Sequence, residues 1–104
     1  MITLTVKEKK TDGLIWYFKV DGHSNHAPKG YDIICAAVST LCFTALRGLQ
    51  EVLRHSIEAT IEDGKFEVTV INPDSRTEIV LRTMLAGFEN IKHGTNIVQI
   101  NHTN

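Results

Sequence analysis

The chain is poor in cysteine, with two in 104 residues, Cys35 and Cys42. That excludes a small disulfide-stapled scaffold, which needs dense and paired cysteines. On one helix, seven residues separate the two by about 10 Å of rise. A disulfide needs Cα atoms within about 7 Å, so both are expected as free thiols in a reducing compartment. Proline is equally scarce, at Pro28 and Pro73 only, and each sits in a stretch that reads as a loop. Excess charge of either sign is missing: 11 basic against 12 acidic residues give a formal net charge of −1. No basic footprint for nucleic acid is present, so no direct nucleic-acid binding is expected. No long uninterrupted apolar run is evident. The most apolar stretch, Ile33 to Phe43, is broken by Cys35, Ser39 and Thr40 and is expected to be too short to span a bilayer. The N-terminus, MITLTVKEKK, lacks the basic start and apolar run of a signal peptide. A soluble, cytoplasmic protein with no membrane partner is expected.

What is present suits one globular domain over residues 1–104. Hydrophobic residues make up 42% and charged residues 22%, an ordinary balance for a single core. Residues 2–9 alternate, with Ile2, Leu4 and Val6 on one side, as a half-buried strand does. Thr11-Asp12-Gly13 signals a turn. Leu14 to Asp21 reads as a second strand, Trp16, Phe18 and Val20 inward, making a hairpin with the first. Gly22 to Tyr31 has no period and reads as a long loop, the kind that carries function in small domains. Asp32 to about Arg54 reads as a helix, apolar around most of its girth, with Asp32 as N-cap. Ser56 to Glu62 and Phe66 to Val70 flank Asp63-Gly64, a tight-hairpin dipeptide, with Ile57, Ala59 and Ile61 inward. Ser75 with Glu78 matches a capping box and opens a second helix. Its buried stripe is Val80, Met84, Gly87/Phe88 and Ile91, and it ends at His93-Gly94. Asn96 to Ile100 is a last short strand. The order is β-β-α-β-β-α-β: an α+β fold with two helices and a mainly antiparallel sheet.

Cys35 is the candidate nucleophile. With Asp32 as N-cap, it falls in the first helical turn, where free N–H groups and the helix dipole favour thiolate over thiol. Its own neighbour Asp32 opposes this unless backbone N–H groups absorb the carboxylate charge. His23, at the end of a strand and the start of the long loop, is the candidate general base, since imidazole exchanges protons near neutral pH. Helical spacing puts Asp32, Cys35 and Ser39 on one face, with Cys42 further down. Gly22 lets the backbone approach a substrate closely. Each residue also has a plainer role. Cys35 alone packs as a small hydrophobe, His23 as a loop residue bonded to backbone, Asp32 as a cap only, and Ser39 as a donor to the carbonyl one turn back. Cys42 is read as core, and His55, His93 and His102 as surface or helix-end residues.

Two blocks carry a resemblance: Asp21-Gly22-His23-Ser24, and Gly30-Tyr31-Asp32-Ile33-Ile34-Cys35-Ala36-Ala37-Val38-Ser39. Together they resemble the ribosomal-processing cysteine protease family of bacteria. That family's pattern is Gly-His-Ala after a strand, then Gly-x-Asp-[Ile/Val]-Val-Cys-Ala-Ala-x-Ser opening a helix. Ser24 and Ile34 depart from the commoner alanine and valine, and neither removes a functional group. Length and element order fit across the chain. The resemblance implies a cysteine endopeptidase that removes the N-terminal extension of a large-subunit ribosomal protein. The cleaved sequence would be apolar, with phenylalanines before the cut and alanine after it. It also implies Cys35 as nucleophile, His23 as general base, Gly22, Asp32 and Ser39 as supporting residues, no cofactor, and a homodimer. No role is carried onto His26. Two other classes are weighed beside it. His23-x2-His26 with Cys35 and Asp32 is a possible zinc set, though no standard spacing is completed. A non-catalytic module could hold an extended ribosomal-protein peptide on a sheet hairpin.

Overall fold

The structure, a computed structural model, describes residues 1–22 and 29–104, and the side chains of all these except 29–32. Its elements are β1 (Ile2–Glu8), β2 (Ile15–Asp21), α1 (Lys29–Arg47) with a π-helical turn at Gly48–Val52, β3 (Ile57–Glu62), β4 (Lys65–Val70), α2 (Ser75–His93) and β5 (Val98–Thr103). The expected element order holds. The five strands form one sheet in the order β3-β4-β2-β1-β5. Three pairings are antiparallel, and β5 lies parallel to β1. The sheet is therefore mixed, with its only parallel pair at one edge.

Both hairpins form at the glycines that signalled them. Gly13 and Gly64 take φ of +74° and +80°, the left-handed region where a side chain is disfavoured. The side-chain alternation of β1 is as read: Ile2, Leu4 and Val6 are fully buried. That of β2 is not. The register slips between Lys7 and Glu8, where Lys7 faces Tyr17 but Glu8 faces Ile15. Trp16 is the extra residue of this bulge, so Ile15 turns into the core in its place. Lys7 instead lays its ammonium over the Tyr17 and Trp16 rings, 4.7 and 5.8 Å from their centroids.

Helix α1 starts at Lys29, three residues before the expected cap, so Asp32 lies within it. The apolar stretch is also longer than expected. Ile33–Val52 is 20 helical residues of mean hydropathy 1.5, long and apolar enough by length and composition to cross a membrane. Here its inner face packs on the sheet through Val38, Cys42, Ala45, Leu46 and Leu49. At its end the ladder widens: Leu53 N–H donates to Gly48 O at 2.9 Å. Arg54, at φ +52°, then turns the chain away.

Helix α2 is capped by Asp74, not Ser75. Asp74 Oδ1 accepts from the N–H groups of Arg76 and Thr77 at 2.9 and 3.0 Å, and Thr77 Oγ1 accepts from Asp74 N–H at 2.9 Å. The box is Asp74/Thr77. Glu78, freed from that task, accepts from Ile15 N–H at 2.9 Å and pairs with Arg82. The buried stripe shifts accordingly to Thr77, Leu81, Met84, Leu85 and Phe88, with Val80 and Ile91 only partly covered. Gly87 lies against α1: a Cβ there would come within 2.7 Å of Leu41 Cδ2. The inward set of β3 is on the predicted face, opposite Phe66, Val68 and Val70. Both helices stop short of this edge, so Ala59 and Ile61 stay exposed.

Candidate active site

Two segments meet at the site: the end of β2 and the N-terminal half of α1. Gly22 closes β2 at φ +92°. Its N–H donates to Gly64 O at 3.1 Å, which ties the strand end to the β3–β4 turn. A Cβ on Gly22 would collide with the carbonyl oxygen of Met1. The glycine is thus required by the fold itself, through a contact with a distant part of the chain. His23 follows directly but lies outside the described residues, as does His26.

Cys35 is the seventh residue of α1, in its second turn. The unpaired N–H groups and most of the dipole's effect belong to the first turn. The expected first-turn activation of Cys35 is therefore corrected. By position, its own N–H belongs to the intrahelical ladder. The Asp32 side chain is outside the described residues, so its role at the sulfur is not resolved by geometry. Cys35 is buried at 7% exposure and packs at the rim of the core, where a small movement of the preceding segment reaches it. Ser39 stands one turn further, partly buried. Among the described residues no hydrogen bond engages its hydroxyl. The back-bond expected of it is made by its neighbour, Thr40 Oγ1 to Ala36 O at 2.9 Å.

Cys42 is a different thiol. It is 1% exposed, and burial pushes it up to about 12, so at neutral pH it stays protonated. Both cysteines are free. Beyond Ser39 on the same side of α1 comes Phe43, half exposed, its ring edge-on to Phe66 at 5.0 Å. Ile61 stands opposite Phe66 in register. This apolar shelf was not read from the sequence, because it depends on β3 lying beyond the reach of the helices. Among the described residues no group of three or more His, Cys, Asp or Glu side chains stands together as a metal site.

Comparison with known proteins places this geometry. The sequence matches the family described as cysteine protease Prp over residues 1–97. It is 26% identical over 98 residues to the ribosomal processing cysteine protease Prp of two Staphylococcus aureus strains, Mu50 and NCTC 8325. The match covers 91% of this chain and 88% of each relative. The fold superimposes with a TM-score of 0.89 on the crystal structure of an essential ribosomal processing protease Prp from S. aureus in complex with a substrate peptide. That alignment covers 98% of this chain and 99% of the other, at 22% identity. It superimposes with a TM-score of 0.88 on SMU.848 from Streptococcus mutans, at 24% identity, covering 100% and 99%.

Proposed function

Since this chain belongs to the cysteine protease Prp family, we propose that it removes the N-terminal extension of a bacterial large-subunit ribosomal protein during ribosome maturation. In this reading Cys35 is the nucleophile and His23 the general base. One observation carries the choice of nucleophile: of two cysteines on one helix, burial keeps Cys42 protonated, while Cys35 sits at the core's rim beside the segment that holds His23.

The proposed sequence of events balances as follows. His23 takes the Cys35 Sγ proton, and Sγ adds to the scissile carbonyl carbon. Cα–Cβ bonds tilt toward a helix N-terminus, so Sγ reaches back over the first turn of α1. The first-turn N–H groups, at residues 29–32, have no partner within the helix. These are the proposed donors to the oxyanion. His23 then protonates the leaving amine, the C–N bond breaks, and the N-terminal product remains as a thioester. Water gives a proton to His23, attacks the thioester and releases a carboxylate and the thiol. Ser39 and Asp32 are proposed to orient the groups around Sγ, and Gly22 to hold His23 at the strand end. We further read the enzyme as cytoplasmic and homodimeric.

The test is incubation with a ribosomal-protein precursor, reading the cut by mass, for the wild type and for Cys35→Ser and His23→Ala. A single cut near the precursor's N-terminus by the wild type alone is expected. Cleavage by Cys35→Ser at the wild-type rate overturns the assignment.

A further inference from the structure

Helix α1 has two faces, and only one of them has found a partner. Ile33–Val52 is apolar throughout, yet only a third of it is buried. No charged residue occurs from Ile33 to Leu46. The first is Arg47, and it is paired with Glu51 of the same chain. A helix that only lined a core would show lysine, glutamate or arginine on its outer side. This one shows Ile33, Ala36, Thr40, Thr44 and Val52. Ile79 of α2 stands beside them, 68% exposed, and Val52 is 78% exposed.

The seam between the helices deepens this face. A cleft of about 310 Å³ runs between the C-terminal half of α1, its π-helical turn and α2, with Val52 and Ile79 at its lips. A second, of about 440 Å³, lies along the other end of the seam past Leu41 and Gly87. No charged residue lines either. The central ridge is low: Ala36, Thr40, Thr44 and Gly48 follow at every fourth position, which lets a second helix approach closely. Two hydroxyls on this face are already satisfied at home. Thr40 Oγ1 donates to Ala36 O at 2.9 Å and Thr83 Oγ1 to Ile79 O at 2.7 Å. Covering them therefore strands no donor.

We propose that the outer face of the helical layer, centred on Thr40 and Thr44, docks a second copy of this chain about a two-fold axis. Three observations select that occupant. The face is uncharged, so it can meet itself without like-charge conflict, as an isologous contact requires. Its size fits: 20 helical residues span about 30 Å, and with the flank of α2 the face offers roughly 600–800 Å² per copy, near the ~800 Å² of a standard interface. A basic partner would call for carboxylates, and an anionic lipid surface for a lysine- or arginine-rich border. The face supplies neither, and the chain's net charge is −1. The proposal rests on the helical layer alone and not on the chemistry assigned to Cys35.

Sedimentation velocity on the full chain tests it. The wild type is expected at twice 11.6 kDa. Thr44→Arg, which sets two like charges at the centre, is expected to weaken the dimer by roughly 100-fold or more, with an unchanged circular dichroism spectrum. Glu58→Lys, on the sheet edge far from this face, should leave the dimer intact. Should Thr44→Arg fail to fold, Thr40→Cys in a Cys35→Ser background gives a second reading: mild oxidation should trap a covalent dimer. A monomeric wild type overturns the proposal. So does a dimer that Thr44→Arg leaves untouched, or a wild type that stays monomeric but sediments with anionic vesicles. Cys35→Ser alone should stop cleavage without changing the mass, so failure of the site and failure of the interface are told apart.

Discussion

Two thiols seven residues apart on one helix are given opposite chemistry by a few per cent of exposure. Cys42 lies among packed side chains, and burial alone pushes it up to about 12. Cys35 sits at the margin of the same core. Iodoacetamide at neutral pH should therefore modify one site in the folded protein, Cys35, and two after unfolding, as read by intact mass. Equal rates at both in the folded state would remove the argument for Cys35. Gly22 is the second residue whose setting decides its role. Its φ of +92° and the Met1 carbonyl beside it leave no room for a side chain. Gly22→Ala should destabilise the fold by on the order of 1–3 kcal/mol, read as a lower urea midpoint. The sequence marked Gly22 as a glycine next to a candidate base. It could not show the partner, because Met1 is brought there by the pairing of β1 with β2.

The elements show the same division between local and distant causes. Both hairpin turns and the end of α2 were legible, since Gly13, Gly64 and His93-Gly94 act on their immediate neighbours. The start of α2 was ambiguous because two boxes overlap: Ser75 with Glu78, and Asp74 with Thr77. Asp74/Thr77 wins because Glu78 has another use, accepting the Ile15 N–H at the bulge and pairing with Arg82. That use is a tertiary contact and invisible in the sequence. The Asp74 carboxyl is held below the ordinary carboxylate range, first by the Thr77 N–H, then by the Arg76 N–H and the nearby Arg76 and His55 charges. Its folded value is depressed, so the stabilisation is fully present above the unfolded value of about 3.9. It is lost as pH falls through the lower folded value. Asp74→Asn keeps an equally good cap without a titrating group. It should match the wild type in acid and lose part of its stability at neutral pH, whereas Asp74→Ala should be weaker throughout. Urea midpoints measured across the acid range check both.

At the scale of the molecule, the two edges of the sheet differ in what they protect. The β3 edge is polar outward and loses little by being open, with only Ala59 and Ile61 left uncovered. The β5 edge covers β1, whose inner side chains Ile2, Leu4 and Val6 are fully buried and whose free edge would otherwise be a pairing template. Sequence periodicity found a strand near here but placed it at 96–100, because nothing local distinguishes Val98–Thr103 from what precedes it. Its bounds come from six residue pairs in parallel register, Ile2 with Val98 through Lys7 with Thr103. That parallel pairing also escaped the sequence, since it depends on the chain returning over α2. The strand lies beyond residue 97, where the family match ends, while the structural match to the S. aureus protease covers nearly the whole chain. A chain ending at residue 97 should therefore keep every residue of the candidate site and still fail as a monodisperse protein. It loses Val98 from the core and the hydrogen bonds along one side of β1, and it exposes that side to other copies. Thermal unfolding at a lower temperature and light scattering that rises with concentration are expected. An unchanged melting temperature in the shortened chain would mean that β5 is an appendage and that β1 tolerates an open edge.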